Sequence, residues 1–125
     1  MIKLTVQQIL LIHEKQLALY GGQSGFIDEN LFYSQCEMPY QTFGGEELFP
    51  DVYDKAVRYL FGFATNQVFC DGNKRTGVAV MLIFLDVNGI EIIATNDELT
   101  KFGLEVANKQ YTEEQAKQFL IAHTK

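Results

Sequence analysis

The residues most able to do chemistry are gathered in one stretch, Asn66-Gln-Val-Phe-Cys-Asp-Gly-Asn-Lys-Arg-Thr-Gly77, which runs directly into the apolar segment Val78-Ala-Val-Met-Leu-Ile-Phe-Leu85. A loop that opens a helix leaves unbonded backbone N–H groups at the positive end of the helix dipole, a favourable place for phosphate. Gly72 lets the backbone come close to a ligand, and Asn73 tolerates turn geometry while offering an amide. Lys74 and Arg75 can neutralise a polyphosphate, Arg75 in bidentate fashion. Asp71 is the carboxylate of the segment and can hold Mg²⁺ bridging phosphates. These are the parts of a phosphoryl- or nucleotidyl-transfer site. Residue 67, however, is Gln, whose amide accepts a hydrogen bond but takes no proton.

The same residues also suit a plainer role. Asp-Gly is a frequent turn pair, Asn73 can be a helix cap, and Lys74 and Arg75 can form a solvated first turn. Neither GxxxxGK[ST] nor GxGxxG occurs in the chain, which excludes the P-loop and dinucleotide fingerprints. Cys70 occupies the variable position of the stretch. His13 and His123 read as surface or packing residues.

The elements that must hold this loop are helical. Thr5-Val-Gln-Gln8 has capping-box spacing, followed by Val6, Ile9, Leu10 and Leu17, with His13, near one helix face that ends before Gly21-Gly22. Asp28 can cap a second helix, stopped by Pro39. A third starts at Asp51 and buries Val52, Ala56, Val57, Leu60 and Phe63. The fourth follows the loop, is apolar nearly all round, and ends at Asn88-Gly89, so it should be central. Ile90–Ala94 is too short for more than one extended segment. Thr95 or Asn96 caps a fifth helix, and Thr112-Glu-Glu-Gln115 is the capping box of a sixth. The reading is one all-α domain over residues 1–125.

Composition is that of an ordinary globular domain, 47% hydrophobic and 21% charged. A net charge of −6 and a pI near 4.8 argue against a general grip on nucleic acid, so the basic residues must act locally. Cys36 and Cys70 lack zinc or CxxC spacing and read as reduced thiols of a cytoplasmic protein. No apolar run approaches the ~18 residues of a membrane span, and none of the N-terminal sequence has a signal-peptide layout.

Phe69-Cys-Asp-Gly-Asn-Lys-Arg-Thr-Gly77, the apolar helix after it and Leu85-Asp-Val-Asn-Gly89 together resemble the signature of the Fic/Doc family. More narrowly they resemble the death-on-curing (Doc) toxins, whose motif is His-x-Phe-x-Asp-[Gly or Ala]-Asn-Lys-Arg-Thr. The likeness extends to LTVQQILLIHEKQL, GGQSGFIDENLFYSQCEMPYQTFGG and ELFPDVYDKAVRYLFGFATN, in the order of segments that Doc proteins have before the motif. Lys74 stands where the adenylylating Fic motif has its second Gly.

The resemblance implies a compact bundle of about six helices with a short extended flap. It makes Phe69 the buried anchor, Asp71 the orienter of metal or phosphate, Gly72 and Asn73 the anion hole, and Lys74 and Arg75 the ligands of ATP phosphates. Tyr40, Gln41, Thr42 and Phe43 would belong to a flap that aligns the target segment. Fic-type relatives transfer AMP to a hydroxyl. Doc-type relatives transfer the ATP γ-phosphate to a threonine of elongation factor Tu and arrest translation. The chain lacks the family's internal inhibitory string [Ser/Thr]-x-x-x-Glu-[Gly/Asn], so restraint would fall to a separate antitoxin whose helical segment folds on binding. The departure is Gln67, in the place of the motif His that acts as base. The implied function is that of a Doc-like toxin kinase impaired at this residue, against the alternatives of a non-catalytic nucleotide- or antitoxin-binding module and an AMP transferase.

Overall fold

The computed structural model describes all residues, 1–125, and its order is α1 (Val6–Tyr20), α2 (Glu29–Glu37), a 3-10 turn (Met38–Tyr40), β1 (Thr42–Phe43), β2 (Glu46–Glu47), α3 (Val52–Ala64), α4 (Asn73–Val87), α5 (Asn96–Ala107) and α6 (Glu113–Ala122). It is all-α, with one two-stranded hairpin. Polar residues set the helix starts as the sequence predicts. Thr5, Asp51, Thr95 and Thr112 each close a capping box, satisfying two backbone donors that would otherwise be orphaned, and Asp28 caps α2 by accepting from the N–H of Leu31 at 2.9 Å. Of the two candidates for α5, Thr95 is the cap.

Helix α4 is the axis of the bundle and packs against α3, α1 and α5. Val80, Met81, Phe84 and Leu85 are completely buried. Its burial is not complete all round, because Ile83 remains 39% exposed on the side that no neighbouring helix covers. Two glycines bring the partners close. A side chain at Gly77 would meet the carbonyl of Leu60 at 3.1 Å, and one at Gly103 would meet Val78 at 2.6 Å. The backbones of α3 and α5 therefore both come close to the early turns of α4. The core is continued by Ile9 and Ile12 of α1, Phe32 of α2, and Tyr59, Leu60 and Phe63 of α3.

Two details differ from the sequence expectation. Pro39 does not simply stop α2; it sits inside the 3-10 turn that follows, where a missing N–H costs nothing in the first turn. Val52 and Leu17 are only partly buried, while Ile12 and Lys55 are buried, because helix periodicity fixes a face but not its edges. Ile92 makes a single bridge to Thr124, in keeping with one short extended segment. No helix is long and apolar enough to cross a membrane.

Candidate active site

The motif loop is held from below by an aromatic cluster. Phe69 is 1% exposed and stacks on His13 with centroids 3.5 Å apart and planes at 8°. Phe26 and Phe63 lie against it at 5.7 and 6.1 Å. Such contacts favour one ring position by dispersion and quadrupole complementarity. The α1–α2 connection adds backbone bonds: the N–H groups of Ile27 and Asp28 both donate to the carbonyl of Val68, and Cys70 N–H donates to Gly25 O at 3.0 Å. Phe26 and Phe69 form an antiparallel bridge.

Asn73 closes the loop on itself. Its carboxamide Oδ1 accepts from Phe69 N–H at 2.9 Å, and its Nδ2 donates to Phe69 O at 3.0 Å. Both halves of the amide are therefore spent on the backbone. The expectation that the Asn73 amide faces an anion is corrected accordingly: what Asn73 can offer a ligand is its main-chain N–H. Gly72, at φ 82° in the left-handed region, is the residue before the first helical turn. The backbone N–H groups of Gly72, Asn73, Lys74 and Arg75 donate to nothing within the chain. Four unspent donors thus converge at the positive end of α4.

Asp71 is exposed yet fixed at two atoms. Its carbonyl oxygen accepts from His13 Nε2 at 2.8 Å, and its carboxylate Oδ2 accepts from Gln23 N–H at 2.7 Å. The close approach depends on Gly22, since a Cβ there would lie 2.9 Å from the Cβ of Asp71. No group of three or more His, Cys, Asp or Glu side chains forms a ready-made metal cage. One carboxylate with an oxygen to spare beside free N–H groups nevertheless fits Mg²⁺, which is usually held by one or two carboxylates, phosphate oxygens and water.

The loop forms one end of a cleft of about 910 Å³. Gln67, Cys70, Asp71, Gly72, Asn73, Lys74 and Arg75 all line it, so the sequence-predicted loop residues share one concave surface. Gln67 is exposed there. Arg75 leans on the ring of Tyr20, its guanidinium carbon 4.4 Å from the centroid, a cation–π contact that orients the cation at the rim. The far wall comes from Asn96 and Thr100 of α5 and from Asn108 just after it, with an apolar floor that includes Leu82 and Leu104.

The flap residues are not in this wall. Thr42 and Phe43 form β1, paired in register with Glu47 and Glu46. Gly44 and Gly45, at φ 60° and 82°, supply the two positive-φ positions of a tight hairpin turn. Phe43 is 81% exposed at its tip. Gln41 precedes the strand and accepts from Leu48 N–H at 3.0 Å. Tyr40 lies outside the hairpin: it ends the 3-10 turn, half-buried, with its hydroxyl accepting from Tyr59 at 3.1 Å. Its role is that of a base for the hairpin, because its ring packs edge-on to Tyr59.

His13, Gln23 and Tyr20 were not singled out for the site by sequence reasoning. The one signal for them was the Tyr20-Gly21-Gly22-Gln23 turn after α1, since paired glycines often mark a close backbone approach. His123 packs on Phe119, centroids 4.1 Å apart, far along the chain at the end of α6.

The sequence profile of the Fic/DOC family matches residues 3–85. Over 78 residues the chain is 35% identical to Toxin Doc of Mycolicibacterium smegmatis, a match that covers 62% of this chain and 60% of that protein. Over 86 residues it is 27% identical to Protein kinase doc of Escherichia phage P1, covering 69% of this chain and 68% of that one. The family match spans the motif loop, its aromatic bed and the flap, and on that ground the chain belongs to the Fic/DOC family.

Proposed function

We propose that this protein is a Doc-like toxin whose cleft binds ATP with Mg²⁺ and directs the γ-phosphate to a threonine of elongation factor Tu in the cytoplasm, with transfer impaired by Gln67. The observation that carries the reading is the meeting of four unspent N–H donors, Lys74, Arg75 and the Asp71 carboxylate at the mouth of one cleft. The similarity to a protein named as a kinase supports phosphate as the group transferred, and the similarity to one named as a toxin supports the toxin role.

In this reading the N–H groups of Gly72–Arg75 and the two cations hold the phosphates, where preorganised donors stabilise the charge that develops. Mg²⁺, when bound, would neutralise phosphate charge beside Asp71. The threonine oxygen bonds to the γ-phosphorus as the bond to the β,γ-bridging oxygen breaks, and ADP leaves with that electron pair. With no base at residue 67, the hydroxyl proton has to pass to an oxygen of the transferred phosphate, a slower route. At residue 67 an imidazole would take it, whereas the Gln67 amide can only orient the hydroxyl. The hairpin from β1 to β2 lines up the target, and a small antitoxin covers the cleft.

The same observation at residue 67 favours a second reading, in which the protein binds nucleotide and antitoxin without chemistry. Mass analysis of elongation factor Tu after incubation with ATP–Mg²⁺ and the protein, beside the Gln67→His variant, separates the two. A gain of one phosphate with the variant and little with Gln67 supports an impaired kinase. No phosphate with either, while ATP still binds, supports the binding module. Addition of AMP in place of phosphate would overturn the kinase reading.

A further inference from the structure

We infer that His13 is a positioning residue for the anion site: by holding the carbonyl of Asp71, it turns the N–H of Gly72 into the cleft. The inference rests on the proposed binding of nucleotide phosphates at Gly72–Arg75 and adds a residue of α1 that touches neither ligand nor reacting atom.

A carbonyl oxygen only accepts, so at 2.8 Å from Asp71 O the Nε2 of His13 carries the proton. No cis peptide occurs in the chain, and across a trans peptide the C=O and N–H point in opposite directions. Fixing Asp71 O toward His13 therefore fixes Gly72 N–H away from it, and that N–H has no partner in the chain. The linkage has two locks. His13 is 4% exposed and stacked on Phe69, so its ring cannot swing without breaking the aromatic bed. Gly72 lies directly over it, since a Cβ at Gly72 would come 3.6 Å from His13 Nε2 and 3.3 Å from Leu17.

The reason a pin is needed is Gly72 itself. Glycine populates positive and negative φ about equally, and the peptide before it can rotate as a plate between two turn forms with little steric cost. One form presents N–H to the cleft and the other presents a carbonyl oxygen, which would repel phosphate. His13 selects the first.

Donor and ring can be tested apart. His13→Gln keeps an amide N–H at the reach of Nε2 but loses the stack, whereas His13→Phe keeps a stacking ring without a donor. ADP binding measured by calorimetry should weaken about tenfold in His13→Phe and stay within about threefold of the original in His13→Gln, the difference that one net hydrogen bond supports. Unfolding in urea should rank the variants the other way, with the Phe variant the more stable. Equal ADP affinity in His13→Phe and the unaltered protein overturns the inference. If the unaltered protein binds no ADP, the nucleotide reading fails, and the ligand-free protein still decides the role of His13. The residual dipolar coupling of the Gly72 N–H should change in His13→Phe and persist in His13→Gln; a coupling unchanged in His13→Phe overturns the inference. Should His13→Phe not fold, His13→Met, unbranched and without a donor, carries the same comparison.

Discussion

The motif loop and the hairpin flap are both short, glycine-bearing connections, yet they are held in opposite ways. The loop rests on a buried ring, Phe69, and its backbone from Val68 to Asp71 is tied to the fold through Val68 O, both polar groups of Phe69, Cys70 N–H and Asp71 O. The flap, residues 41–48, is exposed throughout and has two paired residues on each strand. One buried cation holds its base. Lys55 Nζ donates to Pro39 O at 3.2 Å on the entering side, and to Glu47 Oε1 at 2.8 Å and Phe49 O on the leaving side. Charge burial is tolerated there because the ammonium's donors are satisfied by carbonyls and a carboxylate. The difference teaches that the geometry of the free N–H groups at the start of α4 is built into the core, whereas the hairpin is held mainly at its foot.

The largest expected effect follows from the proposed role of the loop as a scaffold that lacks one group. Gln67→His should raise phosphorylation of the target by about 10²–10⁴-fold, the usual worth of a positioned base, and bring growth arrest on expression in bacteria. Asp71→Ala added to it should remove the gain. Arrest as strong with Gln67 as with the variant would place the base elsewhere and end the contrast between a complete scaffold and a missing proton acceptor.

Next comes Asn73→Ala. Ala is the better helix former, so any loss must come from the loop, where the N–H and carbonyl of Phe69 would be stranded. Urea denaturation should show a loss of about 2–3 kcal/mol. A loss under about 0.5 kcal/mol would mean that the loop is no more tightly held than the flap.

Lys55→Met probes the flap in the same way. Stability should fall by about 1–2 kcal/mol, because two carbonyls lose their donor while Glu47, half-exposed, turns to water. Amide exchange within residues 41–48 should accelerate by an order of magnitude, with Phe69 and Cys70 unchanged. Equal acceleration at both segments would show them to be one cooperative unit.

The smallest effect is one of pH at the point where the flap's trailing segment enters α3. Burial raises the Asp51 carboxyl, but hydrogen bonds from Lys117 and the N–H groups of Asp54 and Tyr53 outweigh it, leaving the group below its ordinary 3.8. A carboxyl depressed in the folded state contributes stability that is present above its unfolded value and lost as pH falls through the folded value. Asp51 is half-exposed, so the amount is under about 1 kcal/mol. Asp51→Asn should therefore be destabilising at neutral pH, and the gap from the unaltered protein should close below pH 3.8, with exchange at Phe69 and Cys70 unaffected throughout. A gap of the same size at acid pH would assign the effect to capping alone.

Local chemistry made much of this protein legible in its sequence. Capping boxes act within four residues, so Thr5, Asp51, Thr95 and Thr112 mark helix starts without reference to anything distant. The apolar run after Gly77 identifies the central helix because a segment without a polar face has to be covered. The motif order of Phe69, Asp71, Gly72 and Lys74-Arg75 likewise fixes which groups meet at the start of α4, since a loop and the helix it opens are covalent neighbours. Tertiary structure alone decided how those groups are spent. Asn73 reads as an anion donor until its amide is seen closing on Phe69, and Tyr40 reads as flap until its hydroxyl is found on Tyr59. His13, 58 residues from Asp71, acquires its part only when α1 packs under the loop. Side-chain type and spacing determine which bonds a residue is able to make, but partners brought together from distant segments determine which of them it makes.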